Sequence, residues 1–100
     1  MVTQRGDLDV LGLAVDTSMA CVQLLFIRGG RLLGRENYFV QHDGDSAETI
    51  MTDFIKQYYG DTNFIPKELL LPMDSTDRDL LREWFTQLKG QNVDVSVPQR

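Results

Sequence analysis

The sequence has 100 residues, 42% hydrophobic and 25% charged, the balance of one soluble globular domain and not of a collagen-like, disordered or low-complexity chain. A chain of this length buries roughly two thirds of the surface that its unfolded form exposes, enough for a modest core without staples. Ten Lys and Arg stand against 15 Asp and Glu, a net charge of −5, which argues against sequence-independent nucleic-acid binding, since that task normally calls for net positive charge.

Residues 1–8 are polar and read as a frayed N-terminus, leaving residues 9–100 as a single domain. With Arg5 and Asp7 and no apolar stretch, this start does not resemble a signal peptide. Val10 to Val15 is an almost unbroken apolar run, too short for a buried helix and suited to a central strand covered on both faces. Asp16-Thr17-Ser18 breaks it with turn-forming side chains. Ala20 to Arg28 is a second strand, rich in β-branched and large apolar residues. It holds Cys21, the single cysteine, which reads as a small buried hydrophobe. One thiol and one histidine give no disulfide and no Cys/His zinc cage, and they point to a reducing, cytoplasmic setting. Gly29-Gly30 then joins this strand to a third, Arg31 to Gln41, as a hairpin whose turn residues both reach positive φ at no steric cost. Gly34 inside the third strand marks a bulge or a close backbone approach.

His42-Asp43-Gly44-Asp45 is a turn in which His42 reads as a loop residue and not as a catalytic base. Asp45 and Glu48 have the spacing of a capping box, with Ser46 as the alternative cap. Ile50, Met51, Phe54, Ile55, Tyr58 and Tyr59 then form one helical stripe, with Gly60 as its stop. After a loop closed by Pro66, Glu68 to Leu71 is a short strand ended by Pro72. Ser75 or Thr76 caps a second helix whose stripe is Leu80, Leu81, Trp84, Phe85 and Leu88 and whose stop is Gly90. Val93, Val95 and Val97 alternate with polar residues as a last, half-exposed strand. No apolar run approaches the ~20 residues of a membrane span.

The order is β-β-β-α-β-α-β: three hairpin-linked strands, then two right-handed crossovers that add parallel strands. It is the element order of the α/β ribonuclease-H-like fold, a mixed five-stranded sheet with two helices, whose strands by analogy lie 3-2-1-4-5. Nucleases of that fold hold divalent metals on carboxylates at the end of strand 1, on the first helix and at the end of strand 4. Asp16, Glu48 and Asp74 fall in those elements and are the candidate catalytic set. Each also has a plainer role: Asp16 as a turn cap, Glu48 in the capping box, and Asp74 beyond Pro72-Met73, too far along to face the first strand. Arg28, Arg31 and Arg35 cluster around the Gly-Gly turn as a candidate DNA-binding or partner contact, or as a charged guard on an exposed hairpin.

The strings DVLGLAVD (9–16), ACVQLLFIRGGRLLGRENYFV (20–40), FIKQYY (54–59), IPKELLLP (65–72) and VPQR (97–100) closely resemble the central region of the UvrC family. The resemblance runs from about Asp9 to Arg100. It implies a multidomain parent, the nuclease subunit of the bacterial excinuclease of nucleotide excision repair. That parent has a GIY-YIG domain for the 3′ incision, a hairpin that binds UvrB, a Mg- or Mn-dependent ribonuclease-H-like nuclease for the 5′ incision, and a helix-hairpin-helix domain. The matching piece precedes the segment that carries the catalytic Asp-Asp-His set. The resemblance therefore implies a domain with no catalytic residue and no cofactor of its own. Its partners would be other UvrC domains, UvrB and, through the full complex, DNA, with no membrane. The alternative is a metal-dependent nuclease using Asp16, Glu48 and Asp74.

Overall fold

The structure, a computed structural model, describes residues 6–98. Strands β1 (Leu8–Val15), β2 (Met19–Arg28) and β3 (Arg31–Gln41) pair antiparallel as two consecutive hairpins. Gly29 and Gly30 make the second turn possible, with φ of 61° and 78°; a side chain at either would be strained there. Opposite Phe26 and Ile27 the register shifts. Gly34 pairs with Phe26 and Leu32 with Ile27, which leaves Leu33 as the extra residue of a bulge beside the glycine.

Helix α1 (Ala47–Gly60) then leads to β4 (Glu68–Leu70), and α2 (Arg78–Lys89) to β5 (Asp94–Ser96). Both added strands are parallel to their neighbours, and the sheet order is β3-β2-β1-β4-β5, the order expected by analogy with the ribonuclease-H-like fold. The two crossovers run in the same direction across the sheet, so right-handed connections place both helices on the same face. Their meeting is marked by Tyr59 of α1 and Phe85 of α2, whose rings sit edge to face at 5.1 Å. Leu11, Val22, Leu24, Leu69 and Val95 rise from the sheet into this core, and Met51, Ile55, Tyr59, Leu81 and Phe85 descend into it from the helices.

One-sided packing corrects the reading of β1 as a strand covered on both faces. Leu11 is buried, but Val10 and Gly12, on the other face, are half-buried, and Ala14 and Val15 are exposed. Cys21 shares the helix-free face and is half-buried for the same reason. The helix ends also differ from expectation. Ser46, the alternative cap, takes the place of Asp45 on α1 by accepting the Thr49 N–H at 3.1 Å. Gly60 lies within α1 and Asp61 is its C-cap, with its N–H donating to the Tyr58 carbonyl. For α2 the N-cap is Asp77, with no side-chain cap bond, whereas Gly90 does end it in the left-handed conformation at φ 79°. Leu80 and Leu88 of the expected stripe are exposed, leaving Leu81 and Phe85 as the buried pair. β1 begins at Leu8, inside the segment read as frayed, while residues 1–5 lie outside the described residues.

Leu69, fully buried on the short β4, is therefore expected to matter more than its exposed counterparts. Leu69→Ala should cost about 2–5 kcal/mol, read as a lower urea midpoint at unchanged slope, whereas Leu88→Ala should stay within about 0.5 kcal/mol.

Candidate functional site

The three candidate carboxylates are each engaged in hydrogen bonds of their own. Asp16 follows β1 and turns its Oδ1 back onto the Thr17 N–H at 2.8 Å, an arrangement that stabilises the β1–β2 turn. His42 braces the same turn. Its Nδ1 accepts the Asp45 N–H at 3.2 Å, which leaves Nε2 as the donor to the Asp16 carbonyl at 2.8 Å. Glu48 does not reach back to its own helix cap. Its Oε2 accepts from the Thr76 N–H and hydroxyl, both at 2.8 Å, and from the Ser75 hydroxyl at 3.0 Å. These bonds, the Thr76 N–H first, hold its carboxyl below the usual range. Asp74 accepts the Ser75 N–H at 2.8 Å and pairs with Arg78 at 3.2 Å. Glu48 and the segment beside Asp74 thus come together as a clamp between the start of α1 and the start of α2. Among the described residues no three His, Cys, Asp or Glu side chains are grouped so as to hold a metal ion. The donor set does not fit a divalent cation, which needs several converging oxygens.

The arginine cluster is divided. Arg28 is drawn inward, its Nη1 donating to Asp9 Oδ1 at 2.8 Å and to the Ile27 carbonyl at 2.9 Å. Its guanidinium lies 4.6 Å from the centre of the Phe64 ring. Arg31 pairs with Arg28 across the hairpin, and Arg35 pairs with Leu25. Because Leu33 is an extra residue between them, Arg31 shares the helix-bearing face with Arg28 and Arg35 lies on the opposite face. Only Arg31 and Arg35 of the three are exposed.

Two features escaped the sequence reading. The first is Asp9, 2% exposed, which accepts the Tyr59 hydroxyl at 2.6 Å on its second oxygen. Burial, then the neighbouring Asp9 charge, pushes the Tyr59 phenol well above the usual tyrosine range. The signal was present: Asp9 has the same parity as Leu11 and Leu13, so the strand points it at the core. The second is a groove of about 520 Å³ between β3 and α1, lined by Tyr38, Val40, Phe54, Tyr58, Asp61 and others. Phe54 and Tyr58 stack at 5.6 Å, and Tyr38 stands against both at 5.4 and 5.6 Å. The Tyr38 hydroxyl donates to Glu36, a bond that together with burial holds the phenol protonated.

The strand order, the two one-sided crossovers and the hairpin-built half define a ribonuclease-H-like α/β domain. The crystal structure of human ENDOV shares this fold, with a TM-score of 0.55 at 12% identity over 93% of this chain and 46% of that one. Residues 7–100 match the family described as UvrC Ribonuclease H-like domain, and the chain belongs to that family. UvrABC system protein C of Alkaliphilus metalliredigens is 43% identical over 96 residues, covering 94% of this chain and 15% of that protein. The same protein of Trichlorobacter lovleyi is 42% identical over 100 residues, covering 100% of this chain and 16% of its own length. The chain thus spans about one sixth of the length of these relatives. No helix among the described residues is long and apolar enough to cross a membrane.

The Asp9 network should be cooperative. Arg28→Ala is expected to cost stability near the lower end of the about 3–5 kcal/mol that follows from breaking a buried pair, because Arg28 is itself 24% exposed. Tyr59→Phe should cost about 1–2 kcal/mol, and the double variant less than the sum, all read by urea unfolding. The pH dependence has two signs. Tyr59 is protonated in the fold but ionises near pH 10 when unfolded, so its contribution is intact below that pH and is lost as the pH rises. Glu48, lowered from 4.5, contributes above that pH and loses its contribution as the pH falls. Glu48→Gln should flatten the acid limb of the stability profile and Tyr59→Phe the alkaline limb.

Proposed function

We propose that this chain is a noncatalytic structural and docking domain of a UvrC-type protein. In this reading it supports the 5′-incision nuclease of an excinuclease in nucleotide excision repair, in the cytoplasm. The observation that carries the reading is the state of the acids: in a member of the UvrC Ribonuclease H-like family, Asp16, Glu48 and Asp74 are each held by separate hydrogen bonds and are not gathered around a common centre. A divalent metal, Mg or Mn, belongs in this reading to another part of the parent protein. Other domains of that parent are the first partners, with UvrB and DNA reached through the assembled complex. The net charge of −5 favours protein surfaces over phosphate as the immediate contact. Any direct DNA contact falls to Arg31 and Arg35, since Arg28 is committed to Asp9.

Two assays test this. The 100-residue chain, given Mg²⁺ or Mn²⁺ with nicked and single-stranded DNA, should cleave neither. Metal-dependent cleavage that Asp16→Asn abolishes would establish the nuclease in its place. In a full-length relative, replacing the domain by a Gly/Ser linker should reduce 5′ incision at least tenfold while the 3′ incision persists. Undiminished 5′ incision would remove the supporting role. For the arginines, charge reversal of Arg31 and Arg35 in the full-length protein should lower the salt slope of DNA binding by roughly 0.9 for each phosphate that is no longer neutralised, and an unchanged slope leaves DNA to other domains.

A further inference from the structure

β3 is the edge strand of the sheet and runs for 11 residues, against three for β5 at the other edge. Its hairpin end is protected in the ways edge strands usually are, by Arg31 and Arg35 and by the bulge at Leu33. The remainder, Glu36 to Gln41, is regular and carries Tyr38, Phe39 and Val40. Phe39, 73% exposed, pairs with Cys21 and so points to the helix-free face, while Tyr38 and Val40 point to the helix-bearing one. The groove between β3 and α1 opens directly beside this stretch. Its walls are the half-buried rings of Tyr38, Phe54 and Tyr58.

The charged lining of the groove is acidic, although Arg28 also acts on Tyr58 from the strand side. Asp61 and the amide of Gln57 line it, and none of its lining residues is a Lys or Arg. Asp53, one turn before Gln57 on the exposed side of α1, extends the acidic flank. Neither Asp53 nor Asp61 forms an ion pair with another described residue. Glu36, held by the Tyr38 hydroxyl, adds its charge on the strand side and helps keep the Tyr58 phenol protonated after burial itself. Aromatic faces with carboxylates at their rim attract a cation.

We propose that the Glu36–Gln41 edge and the Tyr38–Phe54–Tyr58 groove together bind an extended, basic segment of a protein partner. Its backbone adds a strand to β3, and an Arg or Lys side chain lies across the three rings with its charge toward Asp61 and Asp53. Strand addition supplies main-chain hydrogen bonds, and the groove selects the side chain. This deepens the docking reading above and rests on it, naming the kind of surface that docks.

The test titrates the ¹⁵N-labelled 100-residue chain with three capped hexapeptides: Thr-Val-Arg-Val-Thr-Val, the same peptide with Glu in place of Arg, and the Arg peptide N-methylated at alternate residues. The Arg peptide should shift amides within residues 36–41 and 54–62. The Glu peptide and the N-methylated peptide should each bind at least tenfold more weakly. Asp53→Lys with Asp61→Lys, both on the surface, should weaken the Arg peptide by a similar factor and leave the spectrum otherwise folded. Equal binding of the Arg and Glu peptides, indifference to N-methylation, or shifts confined to the helix-free face of the sheet would each overturn the proposal. So would a chain that self-associates through β3 and so excludes the peptide. None of these outcomes touches the incision assay, so failure here and failure of the supporting role can be told apart.

Discussion

A carboxylate buried in the first strand organises the domain. Asp9 lies among apolar neighbours at 2% exposure, where an unpaired charge would cost several kcal/mol. It is tolerated because two elements distant in sequence deliver donors to it, Arg28 from the end of β2 and Tyr59 from the last turn of α1. The β1–β2 register and the seating of α1 on the sheet are therefore coupled through one group. A slip of β2 by one residue would carry Arg28 to the other face and leave Asp9 with a single partner. The same pairing explains how Arg28 and Arg31 tolerate being opposite each other across the hairpin: one of the two positive charges is already answered from below. Phe64, from the loop after α1, closes over the guanidinium, so the loop that leads to β4 is tied to the same point.

A second link, on the far side of the sheet order, works by the same logic at the surface. Glu48 stands in the first turn of α1 but serves the entry of α2, satisfying the Thr76 N–H and two hydroxyls there. Asp77 makes no side-chain cap bond to α2, so this borrowed carboxylate supplies negative charge near the helix start. Asp9 fixes α1 to the strands and Glu48 fixes α2 to α1. Between them, the two carboxylates set the positions of both helices on one face of the sheet.

The course of the chain was readable from local chemistry. Gly29-Gly30, the alternation of Val93, Val95 and Val97, and Gly90 each imposed their element, and β3 was delimited to the residue. What was not readable depended on which faces the tertiary fold covers. The run Val10–Val15 looks like a doubly buried strand because its outward positions are also apolar, yet both crossovers fall on one face and leave the other half-open. The helix stripes were overdrawn at Leu80 and Leu88 for a related reason, since α2 lies over short β4 and β5 and buries only Leu81 and Phe85. The capping box does not form because Ser46 is the cap, which makes Thr49 and not Glu48 the N3 residue and leaves Glu48 free to accept from Thr76, 28 residues away. The arginines around the hairpin read as one patch in sequence. A single extra residue at Leu33 puts two of them on opposite faces, and a buried acid removes the third.

The acidity of the chain takes on a definite shape once these charges are placed. Arg28, Arg78 and Arg82 are paired within the domain, with Asp9, Asp74 and Asp79. Three positive and three negative charges cancel there, so the net −5 of the sequence is carried by the remaining side chains. Asp53 on α1 and Asp61 at its C-cap are among these, both exposed, near the long edge strand β3. A duplex would meet repulsion on that side, whereas a strand-forming basic segment would meet unpaired backbone groups, aromatic faces and carboxylates together. The exposed charges are thus unevenly placed: Arg31 and Arg35 near the hairpin turn, on opposite faces of the sheet, and acids beside the aromatic groove between β3 and α1. Two unlike surfaces on one sheet are what the proposed supporting role would call for, since each suits a different kind of neighbour.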